Sequence, residues 1–141
     1  MNIKNKMYLK FSAISENESF ARLAVASFCA NENLTIEDIA DIKTAVSEAV
    51  TNSIVHGYDG KEGDVEIIVE INDEKIHIEV IDSGVGIEDL VQAQKPFFTT
   101  KPDSERSGMG FTVMEGFVDE MKVESSLGKG TKVVLIKKIN K

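Results

Sequence analysis

The chain holds one cysteine, Cys29, so no internal disulfide can form and no cysteine metal cluster can be assembled. Cys29 falls near the apolar face of a helical stretch, which suits a buried thiol rather than a reactive one. Two histidines, His56 and His77, are too few and too far apart for a histidine metal site, and His77 reads as a strand-surface residue. Long apolar runs are missing too. The longest stretch without a charged side chain is ten residues, Ala49 to Tyr58, against roughly eighteen for a membrane span. The opening Met-Asn-Ile-Lys-Asn-Lys-Met lacks the continuous apolar block of a signal peptide, so a cytoplasmic location is expected. Basic charge is scarce as well: 16 Lys and Arg face 24 Asp and Glu, a net charge of −8. That balance argues against nucleic acid as a general partner. An anionic ligand would need local neutralisation by helix-start amides, a metal ion or a few placed cations.

What is present suits one folded domain. At 141 residues, 42% of them apolar, the chain can bury a real core but is short for two domains. Met7, Leu9 and Phe11 alternate with polar residues and predict a half-buried strand. Ser15 and Glu18 form a capping-box pattern for a helix whose apolar side would be Phe20, Leu23, Ala24, Ser27 and Phe28, ending near Asn31. Thr35 and Asp38 open a second helix with the stripe Ile39, Ile42, Val46, Ala49, Val50 and Ser53, ending where Gly57 could turn left-handed. Val65 to Ile71 and Ile76 to Val80 alternate about an Asn72-Asp73-Glu74 turn, a β-hairpin. Residues 83 to 110 hold four of the ten glycines and both prolines, Pro96 and Pro102, without sustained periodicity. A loop that long in a compact domain is often an active-site lid. Phe111, Met114, Phe117, Val118 and Met121 predict a third helix. A short strand at Val123, a Leu127-Gly-Lys-Gly130 turn and a last strand, Val133 to Ile136, complete the order β-α-α-β-β-loop-α-β-β. With no linker or repeat, the strands should join one sheet with helices on one face.

Three short segments look chemical. On the second helix Glu48 and Asn52 are four residues apart and stack on one side. At about 100° per residue, Asn52 lies about 80° and Glu48 about 120° from Ile42, at the border of the apolar stripe. A carboxylate and an amide there can share a cleft with a ligand; the alternative is a solvated helix flank. Asp82-Ser-Gly-Val-Gly86 ends a strand with an acid and two glycines, Gly84 and Gly86. The acid could accept an amino hydrogen from a heterocycle such as adenine while glycine lets the backbone approach it; the alternative is an ordinary turn. Ser107-Gly-Met-Gly110 precedes the third helix, where free amides bind phosphate. Thr99, Thr100, Lys101 and Arg106 add hydroxyls and two cations that could close over an anion.

Glu48-Ala-Val-Thr-Asn52, Asp82-Ser-Gly-Val-Gly86, Gly108-Met-Gly110 and Gly130-Thr131, in this order and spacing, resemble the GHKL ATP-binding family shared by gyrase, histidine kinases and the MutL repair ATPases. Within it, Ser15-Glu-Asn-Glu-Ser-Phe-Ala-Arg22, Val46-Ser-Glu-Ala-Val-Thr-Asn52, His56-Gly-Tyr58 and Phe98-Thr-Thr-Lys-Pro102 through Glu105-Arg-Ser-Gly-Met-Gly-Phe111 are similar to the anti-sigma-F factors of endospore-forming bacteria. The resemblance implies an α/β (α+β) two-layer sandwich, a mixed and mostly antiparallel sheet with three helices on one face. It implies a single kinase domain, 1–141, with an ATP lid over about 87–110.

For the site, the resemblance implies that Asn52 binds Mg²⁺ and Glu48 is the general base. Asp82 would bond the adenine amino group of ATP or ADP, with Thr131 beside it through water. Gly84 and Gly86 would lie against the base. Thr99, Thr100, Lys101, Arg106, Ser107, Gly108, Met109 and Gly110 would enclose the phosphates. The implied activity is phosphorylation of a serine on an anti-anti-sigma factor, with direct capture of the sigma-F factor by a homodimer whose first helix, including Arg22, contacts partners. No membrane or direct nucleic-acid partner is implied. Two rivals share the motifs: a serine kinase controlling a stress sigma factor, and a nucleotide-gated sigma-binding module without kinase activity.

Overall fold

Alternating apolar side chains line up across the strands into continuous rows, and those rows position everything else. The computed structural model describes residues 2–59, 61–86 and 110–139. Its strands are β1 (Asn5–Ser12), β2 (Asp64–Ile71), β3 (Lys75–Asp82), β4 (Glu120–Ser126) and β5 (Gly130–Lys138), in the order β1-β2-β3-β5-β4. Leu9, Ile67, Val80, Val133 and Val123 are cross-strand neighbours, forming one row over all five strands. Met7, Val69, Ile78, Leu135 and Met121 form the next. Every pairing is antiparallel, so the expected mixed character is absent among the described strands. The β2–β3 turn is held by Asn72, whose Oδ1 accepts from the N–H groups of Glu74 at 2.8 Å and Lys75 at 2.9 Å.

Three helices pack on this row-bearing face: α1 (Glu16–Cys29), α2 (Ile36–Asn52) and α3 (Gly110–Gly116). The result is the expected two-layer α+β sandwich. In α2 the predicted capping box is formed: Thr35 Oγ1 accepts from Asp38 N–H at 2.9 Å, and the Asp38 carboxylate accepts from Thr35 N–H at 3.2 Å. Its buried residues are Ile42, Ala45, Val46, Ser47, Ala49 and Val50: the expected stripe with Ala45 and Ser47 added, while Ile39 is only half-buried. Each fully buried Val or Ile in this core contributes about 1.5 to 3 kcal/mol. No helix among the described residues is long and apolar enough to cross a membrane.

Several local expectations are corrected. Ser15 makes no side-chain cap; Glu18 instead faces Arg22 at 3.6 Å. The buried face of α1 is Ala21, Val25, Ala26 and Cys29, whereas Phe20 and Leu23 are half exposed at 52% and 54%. That face is buried where α1 packs on α2 and the core. The helix also ends at Cys29, short of Asn31. Gly57 is not left-handed; the residue with positive φ there is Asp59, at 52°. The third helix stops at Gly116, and Met121 lies in β4 opposite Leu135, where strand pairing places it in the core. β5 is longer than expected, Gly130–Lys138.

The core-facing rows become polar at both ends of the sheet. At one end the row Phe11, Val65, Asp82, Thr131, Ser125 runs from apolar to polar across the five strands. At the other, Lys137 follows Ile71 and Ile76. Lys137 is nearly enclosed and satisfied: its Nζ donates to Asp41 at 3.1 Å and to the Phe117 carbonyl at 3.1 Å, with Asp38 at 3.9 Å. That end is a structural clasp between α2, β5 and the chain leaving α3. The other end is the candidate site.

Candidate functional site

Asp82 is the last residue of β3 and only 4% exposed. The Gly84 N–H donates to its carboxylate at 2.9 Å, and the Ser53 hydroxyl and the Thr131 N–H lie close enough to favour its charged form. Burial raises its pKa above the ordinary 3.8, and these three groups oppose that rise without cancelling it. A carboxylate offers about four lone-pair positions. The Gly84 N–H takes one of them, so acceptor capacity remains for a ligand.

The chain around Asp82 is packed so closely that its glycines have a structural cause. A Cβ on Gly84 would lie 2.1 Å from the Gly57 carbonyl oxygen, and one on Gly57 would lie 3.0 Å from both Asp82 carboxylate oxygens. Gly86 has φ of 77°, and a Cβ there would meet the Ser126 carbonyl oxygen at 2.0 Å. Sequence reasoning assigned Gly84 and Gly86 to close approach of a base; the backbone they approach here is the protein's own. The segment is fixed by three further bonds. The Val85 N–H donates to the Gly57 carbonyl at 2.8 Å, the Gly128 N–H to the Val85 carbonyl at 2.6 Å, and the Ser83 N–H to the Tyr58 hydroxyl at 2.8 Å.

Thr131 sits opposite Asp82 in the β3–β5 register. Its Oγ1 lies 2.8 Å from Ser125 Oγ, which also lies 2.8 Å from the Gly130 carbonyl. That carbonyl can only accept, so Ser125 donates to it and the Thr131 hydroxyl donates to Ser125. The lone pairs of Thr131 Oγ1 are left as acceptors beside Asp82.

Asn52 is the final residue of α2, and a π-helical turn, Ser53–Gly57, follows it. The Tyr58 N–H reaches back to the Ser53 carbonyl at 3.0 Å. Single π-type turns inside or at the end of α-helices recur at functional sites. Here the turn brings Ser53 and Gly57 against Asp82, which sets the half-buried Asn52 one residue from a direct contact of that carboxylate. One turn earlier, Glu48 is half-buried and lines a cleft of about 350 Å³ with Arg22, Ala40, Lys43, Thr44 and Ser47. Arg22, expected to face partners, thus shares a cleft with the residue expected to be the base.

Residues 11–137 match the family described as Histidine kinase-like ATPase domain. The chain is 58% identical over 136 residues to the anti-sigma F factor of Clostridium acetobutylicum, covering 96% of this chain and 95% of that protein. It is 57% identical to the anti-sigma F factor of Caldanaerobacter subterraneus subsp. tengcongensis, covering 100% and 99% of the two chains. The chain belongs to the anti-sigma F factors, within the histidine kinase-like ATPase family. The fold is also that of a crystal structure of the RsbU and RsbW domains of Rv1364c from Mycobacterium tuberculosis. The TM-score is 0.69 at 22% identity, covering 95% of this chain and 32% of that one.

Of the residues singled out by sequence, the structure gathers Asp82, Gly84, Gly86 and Thr131 at one end of the sheet, with Asn52 on the helix end that adjoins it. Glu48 and Arg22 meet in the neighbouring cleft, and Gly110 is the first residue of α3. Thr99, Thr100, Lys101, Arg106, Ser107, Gly108 and Met109, with most of the lid, lie outside the described residues. Sequence reasoning missed Ser53, Gly57, Tyr58 and Ser125 as supports of the site. Ser53 was legible as an anomaly, a hydroxyl in an otherwise apolar stripe. Cys29 is fully buried, and burial, with Glu32 nearby, pushes its thiol up to about 12.

Proposed function

We propose that this chain binds ATP at the Asp82 end of its sheet, captures the sigma-F factor, and phosphorylates a serine of an anti-anti-sigma antagonist. One observation carries the nucleotide reading: a buried carboxylate, fixed by the Gly84 N–H and with acceptor capacity left, at the end of the sheet. An amino hydrogen from adenine uses that capacity. Thr131 Oγ1 accepts from the base or from a water beside it. Membership of an ATPase-type family supports the same reading. Identities of 56–58% to anti-sigma F factors favour sigma-F over a stress sigma factor.

The remaining roles follow from chemistry. Asn52 supplies one amide oxygen, which suits Mg²⁺, an ion that keeps most of its waters and completes its shell with phosphates. Bound ATP supplies the phosphoryl group, and Mg²⁺ offsets the charge on its oxygens. Glu48, one turn from Asn52, orients the acceptor serine hydroxyl and takes its proton as the serine oxygen bonds to phosphorus and ADP departs. Gly108 and Gly110 offer backbone amides to the phosphates, with Thr99, Thr100, Lys101, Ser107 and Met109 closing the lid and Arg106 near the γ-phosphate. Arg22 contacts partners, a homodimer holds one sigma factor, and the net charge of −8 suits a basic sigma surface.

The test is incubation of the chain with ATP, Mg²⁺ and the antagonist. Phosphoserine on the antagonist is the expected result. ATP binding without any phosphoserine, with sigma capture intact, would replace the kinase by a nucleotide-gated binding module.

A further inference from the structure

The cleft between α1 and α2 has more chemistry than a base requires. Ala40, Thr44 and Ser47 are small and form its floor. Lys43 and Glu48 stand on opposite rims of the same helical strip, about 140° apart in direction at 100° per residue and about 7.5 Å apart along the axis. Arg22 walls it from α1. The Thr44 hydroxyl donates to the Ala40 carbonyl at 3.1 Å, so its lone pairs remain open to the cleft. Arg22 is committed to its own helix: Nη2 donates to Ser19 Oγ at 2.9 Å, and Nε lies 3.6 Å from Glu18. That last contact is imperfect, since Arg22 Nε and Glu18 Oε2 are both enclosed without a hydrogen bond.

Lys43 differs from both. It is half-buried in the cleft and makes no hydrogen bond or ion pair among the described residues. A half-buried lysine without an anion, on the rim across from the base, is a site for an anion brought by the acceptor.

We infer that this cleft is the berth of the acceptor segment, and that Lys43 reads an acidic side chain of that segment near the phosphorylated serine. The inference rests on the kinase reading above and adds what it leaves open, the feature that selects the serine. With the serine hydroxyl at Glu48, the span to Lys43 corresponds to about two to four residues of extended chain. The acceptor therefore carries Asp or Glu about two to four residues from its serine. The small floor admits an extended backbone, and the Thr44 hydroxyl offers it an acceptor. Lys43 is a specificity residue; it touches neither ATP nor the transferred group.

The test measures kcat/KM for antagonist phosphorylation with the wild-type chain, Lys43→Gln and Lys43→Glu, and in parallel the affinity of each for Mg-ADP by calorimetry. It repeats the kinetics with antagonists in which each acid within four residues of the serine is changed to lysine. Lys43→Glu is expected to lower kcat/KM about tenfold or more, mainly through KM, with Lys43→Gln intermediate and ADP affinity unchanged. One antagonist charge reversal should impair transfer by the wild type and restore it for Lys43→Glu. Wild-type kinetics in Lys43→Glu, a loss that no reversal restores, or a matching loss of ADP affinity would overturn the inference. If the wild type forms no phosphoserine, the kinase reading falls by itself. Calorimetric binding of the antagonist to the ADP-loaded chain then applies the same charge swap, and an unaffected Lys43→Glu overturns the inference.

Discussion

Gly57 and Asp82 are in contact across the site: a Cβ at residue 57 would stand 3.0 Å from both carboxylate oxygens. The carboxylate cannot easily retreat, because it is buried and the Gly84 N–H holds it. Gly57→Ala should therefore displace Asp82 and weaken Mg-ADP binding while the fold survives, with an overpacking cost of about 1 to 3 kcal/mol. Calorimetry and thermal unfolding of the variant check this. Unchanged ADP affinity would mean that the position of Asp82 does not matter to binding.

The raised pKa of Asp82 has two consequences of opposite sign. A carboxyl whose folded pKa exceeds its unfolded value contributes stability that is full below 3.8 and is lost as pH rises through the folded value. Stability attributable to Asp82, measured as the difference between wild type and Asp82→Asn in urea, should decline with rising pH over that window. ADP affinity should move the other way. A proton on Asp82 removes acceptor capacity from the carboxyl, so binding should strengthen as pH rises through the same window.

Glu48→Gln keeps the shape of the cleft and removes the base. Phosphorylation of the antagonist should fall by about 10² or more, while Mg-ADP affinity stays near the wild-type value. A parallel loss of ADP binding would relocate Glu48 from proton transfer to nucleotide binding.

Lys137, at the opposite end of the sheet, is a structural cation between Asp41, Asp38 and the Phe117 carbonyl. Removing one partner of an enclosed pair leaves the other charge uncompensated. Lys137→Met should destabilise the fold by about 3 to 5 kcal/mol, and adding Asp41→Leu should recover part of that loss. Urea midpoints of the single and double variants decide it.

The sheet was legible because strand alternation is local and nearly complete from Val65 to Val80, and the core face it assigns is the observed one. The α2 stripe was legible for the same reason, and the Thr35–Asp38 box because both partners lie within one turn. The face of α1 was not. Phe20 and Leu23 are larger than Ala21 and Val25, yet it is the face with the smaller side chains that packs into the core beside α2. Ser15 does not cap because its own backbone is helical, not extended, and the Glu18 N–H donates to its carbonyl at 3.2 Å. Met121 matched a helical period from Phe117, but pairing with Leu135 claimed it for β4. At the site, the acids and glycines could be read as types. Their cause could not, because the contacts of Gly84 with Gly57 and of Asp82 with Ser53 join segments far apart in sequence.

The central claim is that an adenine nucleotide binds through Asp82. Calorimetric titration of Mg-ADP into the wild type and Asp82→Asn tests it most directly. The account predicts binding to the wild type and a loss of about 1 to 3 kcal/mol in the variant, where an amide N–H₂ confronts donors that a carboxylate accepted. Equal affinity in the two proteins, or no binding by the wild type, would contradict it.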